Sequence, residues 1–142
     1  MTTTTERWAF DPGTITGVAI WRDGIFTGVQ LTVEELYEFV DEACEQISHA
    51  QIERFTISAA TLKKARVDDP LDVIGYLKYA AYRCGFPYRF SKPADVMQTF
   101  PDAALKRAGM FTKGAGHAND AARHLARSLV LDRLVDPKVF MS

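Results

Sequence analysis

The stretch Arg7-Trp8-Ala9-Phe10-Asp11-Pro12-Gly13-Thr14-Ile15-Thr16-Gly17-Val18-Ala19-Ile20-Trp21 decides the fold. Two apolar runs flank a Pro-Gly turn, and an aspartate closes the first run. Aromatic and β-branched residues bounded by turn residues read as strands. Arg7 to Phe10 is therefore expected as one strand and Gly17 to Arg22 as the next. A carboxylate at the end of a buried strand costs several kcal/mol unless something compensates it. Two readings of Asp11 stand at this point. It can ligate a hard divalent cation through its oxygens, or it can make an Asx-type turn with Pro12-Gly13.

Working outward, Asp23-Gly24 reads as a two-residue hairpin turn and Ile25 to Leu31 as a third strand. Thr32 with Glu35 three residues on is a capping-box start. The helix it opens carries Leu36, Phe39, Val40, Ala43 and Ile47 at helical spacing. Gln51 to Ile57 reads as a fourth strand carrying Glu53, followed by a polar, basic stretch to Asp69. A second long helix runs from Asp69 or Pro70 to Cys84, with Gly85 as its stop. Pro87 to Phe90 is a fifth strand, and helical turns open at Ser91-Lys92-Pro93 and at Pro101. Lys113-Gly114-Ala115-Gly116 breaks the chain before a last helix, His117 to Leu134. This order predicts an α/β fold: a mixed five-stranded sheet, its first three strands an antiparallel meander, flanked by helices. The fourth strand is expected beside the first through a right-handed crossover.

That crossover gives Glu53 its interest. Neighbouring first and fourth strands bring Asp11 and Glu53 together near one edge of the sheet. Close carboxylates repel unless a cation sits between them. Glu53 also reads as an exposed strand-end residue paired with Arg54 or a lysine. His117 and Asp120 stand three apart at a helix start, so they share a face. Together they can offer an imidazole and a carboxylate to one ion. They also read as a surface histidine beside an N-cap, with Asn119 or Asp120 as the cap. His124 lies further along the same helix and is read, with Asn119, as a supporting residue behind the ligands.

One domain of 142 residues buries roughly 68% of its unfolded surface. Residues 1–6 and 136–142 are expected as flexible tails. Hydrophobic content of 47% and charged content of 25% fit a soluble globular chain. No run is apolar and long enough to cross a membrane, and the polar N-terminus lacks the apolar core of a signal peptide. The expectation is a cytoplasmic protein. Cys44 and Cys84 show no metal or redox spacing and read as core or near-surface thiols. The net charge is −1, but its distribution is segregated. Acidic residues crowd between Glu34 and Glu45, while Lys63, Lys64 and Arg66, then Lys106, Arg107 and Lys113, then Arg123 and Arg127, gather elsewhere as basic groups. Such a field can steer a polyanion, and it also fits ordinary solvated helix faces.

At this point the residues carry a resemblance. Asp11-Pro12-Gly13-Thr14-Ile15-Thr16-Gly17 resembles the first-strand signature of RuvC-type Holliday junction resolvases. The glutamate on a fourth strand and the helix opening His117-Ala118-Asn119-Asp120-Ala121 complete the pattern. With Glu53-Arg54-Phe55-Thr56-Ile57-Ser58, they look especially like phage-encoded members. The resemblance spans residues 7 to 134. It implies a ribonuclease H-like fold and two magnesium or manganese ions held by Asp11, Glu53, His117 and Asp120. Many members have aspartate where His117 stands; imidazole is expected to favour manganese. It further implies a homodimer that nicks four-way DNA junctions, leaving 5′-phosphate and 3′-hydroxyl ends. The basic residues Lys63, Lys64, Arg66, Lys106, Arg107 and Lys113 are then expected to meet backbone phosphates. Family members often carry an aromatic wedge three positions after the glutamate. Phe55 is two after Glu53, where strand periodicity points to the glutamate's own face.

Two rival functions fit the same residues. One is a broader nuclease of this fold, cutting flaps and forks or RNA–DNA hybrids. The other is a non-catalytic nucleic-acid-binding module.

Overall fold

The computed structural model describes residues 5–56 and 68–142. Strands β1 (Glu6–Asp11), β2 (Ile15–Arg22) and β3 (Ile25–Thr32) form the meander. Helix α1 (Val33–Ala43) follows at once, opened by the reciprocal Thr32–Glu35 capping box. A single 3₁₀ turn, Cys44–Gln46, leads into β4 (His49–Glu53). Helix α2 (Asp68–Cys84), β5 (Tyr88–Ser91), the short α3 (Asp102–Arg107) and α4 (Gly116–Leu131) complete the order.

The sheet runs β3-β2-β1-β4-β5. β1 pairs antiparallel with β2, opposing Asp11 to Gly17, and parallel with β4, opposing Phe10 to Ile52. The next residue on each parallel strand is Asp11 and Glu53. The fourth strand starts two residues before its expected start and ends at Glu53, because its pairing with β1 begins at Arg7–His49.

Strand periodicity sorts the core into two halves. On one face Trp8, Phe10, Val18 and Ile52 pack with Leu36 and Val40 of α1 and Val73 and Leu77 of α2. On the other, Ala9 and Ala19 pack against Ala121, Ala122, Leu125, Ala126 and Leu129 of α4. Large side chains hold α1 and α2 away from the sheet, while small ones let α4 lie close to it. Asp11, Gly17, Gln51 and Glu53 share the parity of Ala9 and Ala19, so they face α4.

Several boundaries differ from the sequence reading. Glu6 opens β1 and is buried, its carboxylate accepting from Trp8 Nε1 and paired with Arg22. At the other end Pro137–Phe140 forms a 3₁₀ turn, and Phe140 packs edge-on against Phe100. Both lie in stretches expected as flexible tails, yet Glu6 and Phe140 are themselves buried; residues 1–4 lie outside the described residues. The two cysteines are a correction. Cys44 and Cys84 form a disulfide that ties the end of α1 to the end of α2, with Cα atoms 6.0 Å apart. Their separation of 40 residues hid the pairing, which only α1–α2 packing brings about. Among the described residues no helix is long and apolar enough to cross a membrane.

Candidate active site

The turn after β1 is closed by Thr16, not by Asp11. The Thr16 hydroxyl donates to Gly13 O and lies 3.4 Å from the Gly13 N–H. The Asp11 carboxylate is left to face α4 and β4. Its Oδ2 lies 3.3 Å from His117 Nδ1, and it lines one small cleft with Glu53. Among the described residues, the side-chain hydrogen bonds of this turn come from Thr16 and none from the Asp11 carboxylate.

Helix α4 reaches the strand ends because nothing stands in its way. A Cβ on Gly17 would lie 1.8 Å from the His117 carbonyl oxygen and 2.8 Å from the Ala118 nitrogen. Glycine is thus required beside Asp11. The helix has no side-chain cap of its own, since Ala115 occupies the N-cap position. Gln30 of β3 supplies one: its Oε1 accepts from the His117 N–H at 2.9 Å and the Ala118 N–H at 3.3 Å. Two helix N–H groups that would otherwise lack partners are satisfied from the neighbouring sheet. No helix-start rule could reveal this cap from sequence, because 87 residues separate Gln30 from His117.

Electrostatics mark the cluster. Burial, then the nearby carboxylate of Glu53 and the charge of Asp120, push the Asp11 carboxyl up to about 9. Burial also raises Glu53, but the nearness of His124 and Asp11 outweighs it and holds Glu53 below its usual value. Asp120 is raised, first by burial, then by Glu53, against the pull of Arg123. Three carboxylates in one partly dry corner push their pKa values apart.

Asp11, Glu53, His117 and Asp120 are thus brought to one end of the sheet. His117 is the most open of the four, its side chain 55% exposed. Asp120 turns partly away to Arg123, at 2.9 Å. Arg123 also pairs with Asp102 and is almost fully buried, so its sequence grouping with surface cations is corrected. His124 is buried behind Glu53, its Nε2 3.5 Å from Glu53 Oε2. Asn119 is not with them. Its side chain bonds both the N–H and the C=O of Thr112, stapling the preceding loop to α4.

Phe55 is half-buried and lines a small cleft with Asp11, Pro12, Glu53 and Arg54. Because β4 ends at Glu53, strand periodicity does not govern its direction. A second cavity, about 240 Å³, lies on the other side of Glu53 between Pro93, Val96, Met97 and α4. A cavity of about 350 Å³ at the far end of the sheet, lined by Glu6, Trp8, Arg22 and Phe39, touches none of the four residues. Lys106, Arg107 and Lys113 are exposed. Lys106 sits over the Phe111 ring and Arg107 donates to Phe140 O. Lys63, Lys64 and Arg66 lie outside the described residues.

Among the described residues, no three His, Cys, Asp or Glu side chains already stand as a finished metal-binding group. His117 meets Asp11 directly and Asp120 leans on Arg123. The donor chemistry fits a divalent ion all the same. Three carboxylates and one imidazole suit magnesium or manganese, and a cation among them would relieve the repulsion that lifts Asp11.

A mixed sheet in the order β3-β2-β1-β4-β5, with helices on its faces, defines an α/β protein of the ribonuclease H-like fold. Two solved structures of one protein are similar to it over nearly their whole length. Thermus thermophilus RuvC in complex with a Holliday junction substrate has a TM-score of 0.70 at 17% identity, covering 92% of this chain and 96% of that one. A second Thermus thermophilus RuvC structure has a TM-score of 0.69 at 16% identity, with the same coverage. No protein-family model matches the chain, and no curated protein matches it by sequence. At such identities the likeness establishes the RuvC-like fold.

Proposed function

We propose that this chain is a metal-dependent endonuclease that resolves four-way DNA junctions by paired nicks. One observation carries the reading: Asp11, Glu53, His117 and Asp120 converge from three distant segments onto the strand ends of a RuvC-like fold. The junction itself is taken from the substrate in the similar Thermus complex. Two magnesium or manganese ions held by these four residues would activate water and stabilise the leaving 3′ oxygen. The chain's own residues do the rest. Asp11, at the centre, gives up its proton when positive charge enters the site. Glu53 is held as a carboxylate by His124, and Arg123 restrains Asp120. Gln30 and Gly17 fix the height of His117 above the strand ends. The products carry 5′-phosphate and 3′-hydroxyl ends.

Exposed Lys106, Arg107 and Lys113, with Lys63, Lys64 and Arg66, would contact backbone phosphates, a sequence-independent and salt-sensitive interaction. Paired incisions in a two-fold junction call for two sites, so the working form is a C₂ homodimer. Tyr79 and Tyr82, exposed on α2, are candidates for its interface. The phage-type branch and the cytoplasm complete the reading.

The test is cleavage of end-labelled four-way junction, fork, flap, linear duplex and RNA–DNA hybrid with magnesium or manganese. Wild type and Asp11→Asn are compared. Symmetric nicks in the junction, lost in Asp11→Asn, support the resolvase. Equal cutting of forks and flaps makes it a general branched-DNA nuclease. Cutting of the hybrid alone, or of nothing, overturns the proposal.

A further inference from the structure

Behind Glu53, His124 is the near end of a buried polar chain whose other members, Ser91 and Gln51, have no part in the reaction described above. Gln51 Nε2 donates to Ser91 Oγ at 3.0 Å. Ser91 Oγ lies 2.5 Å from His124 Nδ1, and His124 Nε2 lies 3.5 Å from Glu53 Oε2. Three elements contribute: Gln51 and Glu53 from β4, Ser91 from β5 and His124 from α4. Gln51 is 2% exposed, Ser91 3% and His124 1%, so water does not compete for these bonds. The register makes the chain possible, because Glu53 and Ser91 are directly paired across β4 and β5.

The donor count gives this chain a direction. A serine hydroxyl has one hydrogen to give. Ser91 already accepts from the Gln51 amide, so its hydrogen is free for His124 Nδ1. An Nδ1 that accepts leaves the ring hydrogen on Nε2, aimed at Glu53. We propose that Gln51, Ser91 and His124 form a one-way hydrogen-bond relay that presents an Nε2–H to Glu53. It pins one carboxylate oxygen and leaves the other turned toward the metal site. The proposal rests on the metal-dependent reading above. His124 and Ser91 are positioning residues here: both act through Glu53. Outer partners of this kind commonly carry 10- to 100-fold in metal affinity.

Two measurements test it together. The first is ring-nitrogen NMR of His124 in the metal-free protein, for wild type and Ser91→Ala. The relay requires hydrogen on Nε2 and an accepting Nδ1 in wild type, and a changed Nδ1 signal in Ser91→Ala. An Nδ1 that carries hydrogen overturns it. The second is manganese affinity by calorimetry for His124→Gln and His124→Asn, with melting curves as folding controls. The glutamine amide nitrogen reaches the place of Nε2, whereas the shorter asparagine reaches only that of Nδ1. His124→Gln is expected to bind manganese within about threefold of wild type, and His124→Asn about 10- to 100-fold more weakly. A packing role would tax both alike, so equal affinities in two folded variants overturn the relay. If either variant fails to fold, the ring-nitrogen result alone decides. Failure of the underlying reading looks different: wild type itself then shows no manganese binding.

Discussion

Replacing Gly17 by alanine tests the geometry on which the whole site depends. The new Cβ would sit 1.8 Å from the His117 carbonyl oxygen and 2.2 Å from its carbonyl carbon. Ordinary contacts of this kind begin above about 3.0 Å, so α4 must retreat by more than an ångström or β2 must buckle. Both obstructing atoms are backbone, and no rotamer change can relieve them. Overpacking of a dense interior costs typically about 1–3 kcal/mol, occasionally more, and this contact belongs at the upper end. For a chain of this length, each kcal/mol lowers Tm by about 3 °C, so a drop of roughly 5–10 °C is expected. The retreat carries His117 away from Asp11, and manganese stabilisation should shrink with it. The control is Gly75→Ala, on the open face of α2, where nothing lies within 4 Å of the added carbon. Helix propensity predicts a gain of about 0.5–1 kcal/mol there. Thermal melts with and without manganese read both variants. An unchanged Tm and metal response in Gly17→Ala would refute the close-approach argument.

Three further expectations follow from other parts of the molecule. The folded-state pKa of Asp11, about 9, lies above its ordinary 3.8, so between these values the folded chain binds more protons than the unfolded one. Metal-free stability should therefore fall as pH rises through that window, and Asp11→Asn should flatten the fall; denaturant titrations at pH 5 and pH 8.5 measure it. The Cys44–Cys84 bond closes a loop of 40 residues, for which the chain-entropy model gives about 4 kcal/mol. Reduction, or Cys44→Ser with Cys84→Ser, should lower stability by up to that amount without altering the Asp11–His117 approach; urea melts with and without reductant check it. Gln30→Leu removes the acceptor of two α4 N–H groups and should cost about 1–3 kcal/mol. Hydrogen exchange at the His117 and Ala118 amides should quicken in that variant, and unchanged protection there would argue against the cap.

Local grammar made much of the fold legible. Asp23-Gly24 gives the hairpin, and both residues do adopt positive φ. Thr32 with Glu35 gives the start of α1. Alternation of Trp8 and Phe10 with Ala9 and Asp11 already implied which side chains face which layer. The convergence of Asp11 with Glu53 followed from one topological inference, the crossover that sets β4 beside β1. What stayed hidden is what distant residues do to each other. Arg123 reads as a surface cation until α3 brings Asp102 to it. Asn119 reads as a cap or a neighbour of the ligands until the 112 loop takes both ends of its amide. Gln51 and Ser91 carry no motif at all; only the β4–β5 register makes them partners.

The long separation between Asp11 and His117, 106 residues, also sets an order in time. Closing so distant a contact is slow and follows the local hairpin and helices. Two of the four clustered residues ride on α4, which leaves a ribosome after every strand of the sheet. β1, β2, β3 and β4 can pair before it exists, but they hold only Asp11 and Glu53. A nascent chain therefore carries only half of this cluster until α4 docks over Gly17. Under the nuclease reading, cleavage competence waits on this docking, when the sheet is already committed.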